Sequence, residues 1–162
     1  RPSRRRSGWG VGTALTAILA LAVAFPVAAQ QTVSAVYPGP FQVEVERVID
    51  GDTVAVRAHV WPDQVISTSV RLLDIDTPEL RGRCEAEVAA AERARAFVAD
   101  AVQRAGGRLW LRDVVLGKYA GRVVGRLVTP DGEDIGAALL DGGLAVPYSQ
   151  RRAQRERLCG RS

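Results

Sequence analysis

Three strand-like runs follow one another between Phe41 and Leu73, and only short breaks separate them. Phe41 to Ile49 alternates, with Phe41, Val43, Val45 and Arg47 on one face and Gln42, Glu44 and Glu46 on the other. The turn Asp50-Gly51-Asp52 leads into a second run, Thr53 to Ala58. Trp61-Pro62-Asp63-Gln64 interrupts, and Val65 to Leu73 resumes with Val, Ile, Thr and Ser, residues that fit a pleated surface. Pro78 stops any continuation because it has no N–H for a ladder. A helix is expected from Cys84 to Arg104, which is rich in Ala, Glu and Arg and holds no Gly or Pro. Val88, Ala91, Ala94 or Arg95, Val98 and Val102 form its apolar stripe, which Phe97 and Ala101 widen. Gly106-Gly107 ends it.

Two more strands are expected at Arg108 to Val115 and Arg122 to Thr129, then the turn Pro130-Asp131-Gly132. Ile135 to Asp141 reads as a short helix closed by Gly142-Gly143, and Leu144 to Tyr148 as extended. The order β-β-β-α-β-β-α contains no βαβ repeat. It predicts a mainly β chain with helices, of α+β class, built on a small Greek-key barrel.

At 162 residues the chain suits one domain, and its first segment stands apart. Arg1 to Arg6 is basic, Val11 to Phe25 is apolar, and Pro26-Val27-Ala28-Ala29 supplies small residues. That order predicts a signal peptide over residues 1–29, cut after Ala29, and an exported protein, periplasmic or secreted. The alternative is a membrane anchor over residues 11–29, since about 20 apolar residues span a bilayer. A linker follows at residues 30–40, the domain at 41–150 and an Arg-rich tail at 151–162.

The net charge of +4 belongs wholly to Arg1, Arg4, Arg5 and Arg6. From Gln30 onward basic and acidic side chains balance, with the tail positive and the body negative. Overall charge therefore gives no argument for nucleic acid, and that argument must come from a site. Two cysteines in an exported chain suggest one disulfide, Cys84–Cys159, against two free thiols.

Two stretches carry the chemistry: Val48-Ile49-Asp50-Gly51-Asp52-Thr53-Val54 and Arg71-Leu72-Leu73-Asp74-Ile75-Asp76-Thr77-Pro78-Glu79. Asp52, Asp76 and the Thr77 carbonyl are oxygen donors suited to a hard cation such as Ca²⁺. Glu79 is a candidate base, and Arg71 a candidate phosphate clamp. An unpaired Arg71 inside an apolar strand would be costly, so it calls for an anion. A third stretch, Lys118-Tyr119-Ala120-Gly121-Arg122, supplies a second Arg. Together they predict metal-assisted phosphodiester hydrolysis. His59 is the only His and lies outside these stretches, so His-based catalysis and His-ligated zinc have no support.

In these three motifs, in this order and spacing, the chain resembles the staphylococcal-nuclease (thermonuclease) family from about Phe41 to about Tyr148. The resemblance implies a five-stranded OB-fold barrel with two to three helices. It implies Ca²⁺ at Asp52, Asp76 and Thr77, catalysis by Arg71, Glu79 and Arg122, and substrate contacts from Lys118, Tyr119 and Tyr148. It further implies endonucleolytic cleavage of DNA or RNA at the 5′ P–O bond, leaving 3′-phosphates, by a monomer without a stable protein partner. The chain departs from the family at Ala120, one residue more than the usual Tyr-Gly-Arg turn. Either a bulge at Gly121 absorbs it, or Arg122 is displaced. Asp50 reads as a turn former, and Asp74 has no assigned role. A non-catalytic nucleic-acid- or protein-binding module on the same barrel is the alternative function.

Overall fold

A computed structural model of the chain describes residues 35–160. The leader at 1–29 and the first part of the linker lie outside the described residues. Five strands form a closed barrel: β1 (Phe41–Val48), β2 (Thr53–Trp61), β3 (Gln64–Leu72), β5 (Arg108–Leu116) and β6 (Arg122–Val128). Their order is β1-β2-β3-β6-β5, and β1 also pairs with β5, which closes the ring. All pairings are antiparallel except β3 with β6. This is the α+β OB-fold barrel expected from the sequence.

Strand alternation explains which side chains fill it. Val54, Val56 and Ala58 of β2 face inward with Val70 and Leu72 of β3, while Arg57 and His59 face out. Val43, Leu109, Leu111 and Leu127 complete the interior. Each such Val or Leu contributes about 1.5–3 kcal/mol by leaving water. A register shift in β1 between Val45 and Arg47 turns Val48 toward the core and leaves Arg47 exposed, against simple alternation.

Helix α1 (Glu85–Arg104) begins one residue after its expected start, because Cys84 is its extended N-cap. Its buried face is Glu87, Ala90, Ala91, Ala94, Val98 and Ala101, which keeps the expected Ala91, Ala94, Val98 and Ala101 and turns slightly to take in Glu87 and Ala90. Val88 and Val102 are only half-buried, and a carboxylate occupies a core position. Small alanines at the contact let α1 lie close to the barrel. Helix α2 (Ile135–Asp141) is capped by Asp134, whose carboxylate accepts from Ala137 N–H at 3.0 Å.

The segment Leu144–Tyr148, read as extended, contains a two-residue strand β7 (Val146–Pro147). It pairs with β4 (Ile75–Asp76), an element the sequence reading did not separate from the preceding strand. A 3₁₀ turn at Tyr148–Gln150 follows. The Arg-rich segment read as a tail forms a third helix, α3 (Arg151–Cys159). Cys84 and Cys159 form the disulfide, with Cα atoms 5.7 Å apart, and join the start of α1 to the end of α3.

Candidate functional site

Asp52 immediately precedes β2, and Arg71 is the penultimate residue of β3, opposite Thr53 in the ladder. The chain then turns through Asp74, which has a φ of 62°, and β4 brings Asp76 back beside them. Arg71 joins the two carboxylates: Nη1 donates to Asp52 Oδ1 at 2.7 Å and Nη2 to Asp76 Oδ1 at 2.6 Å. A planar guanidinium suits this fork, and lysine could not span it in the same way. Asp52 is tied further by Thr53 Oγ1 at 2.9 Å and by Thr77 N–H to Oδ2 at 3.2 Å. Asp50 accepts from Asp52 N–H at 3.0 Å, so it fixes the turn as expected.

Gly51 is required here by close approach rather than by a left-handed backbone. A Cβ on it would sit 2.7 Å from Ala94 Cβ and 2.9 Å from Thr77 Oγ1. The turn is therefore pressed between α1 and the site, which sets Asp52 against Thr77.

Both Asp52 and Asp76 are 3% exposed. Burial pushes the Asp52 carboxyl up to about 7, and the charge of Asp50 adds to it; Arg71, Thr53 and Thr77 oppose the rise without cancelling it. Asp76 Oδ2 is buried with no hydrogen-bond partner. One guanidinium is thus shared by two buried carboxylates, and the site is short of positive charge. Among the described residues no cluster of three or more His, Cys, Asp or Glu is placed to hold a metal. Two carboxylates and a backbone carbonyl with water can nevertheless suffice for Ca²⁺, which accepts irregular oxygen shells. The orphaned Asp76 oxygen fits such a cation.

Arg122 is the first residue of β6 and lies opposite Ser69, while Arg71 lies opposite Val124. By alternation Arg122 shares the outer face with Arg71, about 7 Å along the neighbouring strand. The turn takes up Ala120 with Gly121 at a φ of 74°, and Gly117 N–H and Arg122 O close it at 3.0 Å. Ala120 lies within this turn, ahead of the strand. Arg122 Nε is buried without a partner, and its guanidinium lies 4.8 Å from the centre of the Tyr119 ring. Lys118 Nζ lies 5.9 Å from the same ring.

Tyr148 is delivered by β7: its N–H donates to Asp74 O at 2.9 Å. Its ring centre is 6.0 Å from Arg71 Cζ and 4.1 Å from Arg151 Cζ. Tyr119 and Tyr148 are both exposed, each beside guanidinium groups. The Asp74 side chain is exposed and lies 3.9 Å from Arg126, outside the site.

Glu79 lies just past Pro78 with its side chain 53% exposed. Its carboxylate accepts from Arg155 Nη2 on α3 at 3.0 Å. Arg155 is the residue that sequence reasoning missed. Nothing local marked it, because it lies 76 positions from Glu79 and inside a run read as a tail. The cysteine pair was the one available signal, since it requires that run to return to the segment after Glu79.

A closed five-stranded barrel of this strand order, with helices packed on it, is an OB-fold, and here it carries buried carboxylates, arginines and exposed tyrosines on one face. A family model for the staphylococcal nuclease homologues matches residues 69–159, more than half of the chain, and the protein belongs to that family. The match takes in Arg71, Asp76, Glu79, Arg122 and both cysteines, but not Asp52. No curated protein matches the chain.

Proposed function

We propose that the protein is an exported, Ca²⁺-dependent endonuclease hydrolysing phosphodiester bonds of DNA and RNA. The observation that carries this reading is the pair of buried carboxylates sharing Arg71, with Asp76 Oδ2 left unpartnered and Glu79 close by on the segment after β4. Family membership supports nucleic acid as the substrate class.

Asp52, Asp76 and the Thr77 carbonyl would hold the cation. When bound, Ca²⁺ supplies positive charge to the phosphate. Arg71 spends two of its five N–H groups on the carboxylates, and the others remain for a phosphate oxygen. Arg122, with its unpartnered Nε on the same outer face, is the second clamp. Permanently charged guanidinium groups follow the charge that grows on phosphorus as water attacks. Glu79 orients that water and takes its proton, and it gains most of its effect from position. Tyr119 and Tyr148 offer faces on which bases stack without sequence preference, and Lys118 adds a phosphate contact.

The test is hydrolysis of single-stranded DNA by the oxidised protein, with Ca²⁺ and with chelator, beside Glu79→Gln. Cutting that needs Ca²⁺ and is slowed by a hundredfold or more on the order of removed general-base catalysis supports the reading. Binding without cutting in Ca²⁺ would instead make the chain a non-catalytic module. Export rests on the leader pattern and the disulfide. Amino-terminal sequencing of protein recovered outside the cytoplasm should begin at Gln30, whereas a retained leader would indicate an anchor.

A further inference from the structure

Glu79 is a loop carboxylate, more than half exposed, on which the proposed nuclease reading places the water-orienting role. Among the described residues its one side-chain hydrogen bond is to Arg155. Left alone, such a side chain would sample several rotamers, and holding it costs entropy. Positioning is what makes a weak base effective, so whatever fixes Glu79 affects the rate.

Arg155 is itself fixed from three sides. Its side chain is 31% exposed, with Nη2 3.0 Å from Glu79 Oε1 and 4.0 Å from Asp76 Oδ2, which has no hydrogen-bond partner. Its Nε lies 3.7 Å from Glu87 Oε1. Glu87 is a carboxylate in the core face of α1, 1% exposed, and its other oxygen accepts from Arg83 N–H at 2.8 Å. Gly82 packs directly over Glu87: a Cβ there would lie 2.7 Å from Glu87 Cγ. A buried charge of this kind is kept because something pairs with it. The backbone carrying Arg155 is also held, since four residues further on Cys159 is bonded to Cys84, the N-cap of α1.

A rigid path therefore runs from the core through Glu87 and Arg155 to Glu79. We propose that Arg155 is a positioning residue for the phosphodiesterase reaction: α3 is locked onto α1 so that Arg155 can hold Glu79 in its working orientation. This rests on the nuclease reading and extends it to a helix that none of the three motifs includes. An ordinary exposed ion pair would stabilise the fold slightly and leave turnover alone, and this difference is what the test measures.

Steady-state hydrolysis of single-stranded DNA in Ca²⁺ is compared for the full oxidised chain, Arg155→Ala, Arg155→Lys, Glu79→Gln and the Arg155→Ala/Glu79→Gln double variant. We expect Arg155→Ala to lower kcat by about ten- to a hundredfold, as for a group displaced by an ångström, with KM within about threefold. Arg155→Lys should recover part of kcat. The double variant should be no slower than Glu79→Gln, because Arg155 acts through Glu79. Should Arg155→Ala fail to fold for want of a donor to Glu87, Arg155→Gln keeps a long polar side chain and is read for the same kcat and KM split. An unchanged kcat in the folded variant, a rise confined to KM, or losses that multiply in the double variant would each overturn the inference while leaving the nuclease reading standing. A wild-type chain without Ca²⁺-dependent hydrolysis would overturn both.

Discussion

Gly51 and Arg71 carry the site at the scale of single residues, for opposite reasons. Gly51 matters because of what it lacks. A methyl group there meets Ala94 and Thr77 below van der Waals distance, and both neighbours are buried. Gly51→Ala should cost about 1–3 kcal/mol of stability, as overpacking does, read as a lower urea midpoint with an unchanged m-value. Arg71 matters because two buried carboxylates depend on it. Arg71→Gln leaves Asp52 without its cation and Asp76 with only the more distant Arg155, and should cost about 3 kcal/mol, by thermal or urea unfolding. Adding Asp76→Asn to that variant should recover part of the loss, because one stranded charge is removed. A fully additive double variant would show that the carboxylates do not feel Arg71. Asp52 and Arg71 were legible as site residues because their motifs are local. The reason for Gly51 was not, since Asp-Gly is also an ordinary turn pair and Ala94 is far away in sequence.

Helix α3 is the element in which structure departs most from the sequence reading. Its Arg, Ala, Gln, Glu and Leu residues are good helix formers, but a nine-residue helix is marginal in water whatever its composition. Tertiary contacts hold it: buried Gln154, the pairs made by Arg155, and the Cys84–Cys159 bond. That bond spans 75 positions, so the chain-entropy model predicts a loss of roughly 4 kcal/mol when it is cut. Cys159→Ser should show this loss in a melt, and reductant should lower the wild-type transition without lowering that of the variant. Equal sensitivity of both proteins to reductant would argue against the assignment. For α1 the long Ala-rich run was legible, and so was the buried face at Ala91, Ala94, Val98 and Ala101; its extension to Glu87 and Ala90 was not. The rotation toward Glu87 and Ala90 follows from a carboxylate that finds a backbone N–H and an arginine in place of water.

For the whole molecule, charge is arranged rather than accumulated. The chain from Gln30 is neutral, yet α3 places basic side chains beside an acidic body. A cation bound only by the folded state raises stability by mass action, about 2.7 kcal/mol at a hundredfold excess over Kd. Millimolar Ca²⁺ should therefore raise the melting temperature, chelator should reverse it, and Asp76→Asn should abolish the response. A Ca²⁺ shift that survives Asp76→Asn would place the cation elsewhere. Barrel closure itself depends on two pairings distant in sequence, β1 with β5 and β3 with β6. The five strands could be read from composition and alternation, and their order suited a small barrel; which strands close the ring could not be read locally.

The sequence by itself determined the five barrel strands, α1 and α2, and the residue types that the motifs bring, because alternation, helical periodicity, turn residues and short carboxylate-arginine spacings are local properties. It also determined that the cysteines could join the end of the chain to the start of α1. Tertiary structure alone decided which oxygens Arg71 bridges, that Asp76 Oδ2 is left without a hydrogen-bond partner, and that Arg155 rests on Glu79. Those facts depend on burial and on contacts between segments far apart in the chain, where packing selects one arrangement among many that the same local pattern allows.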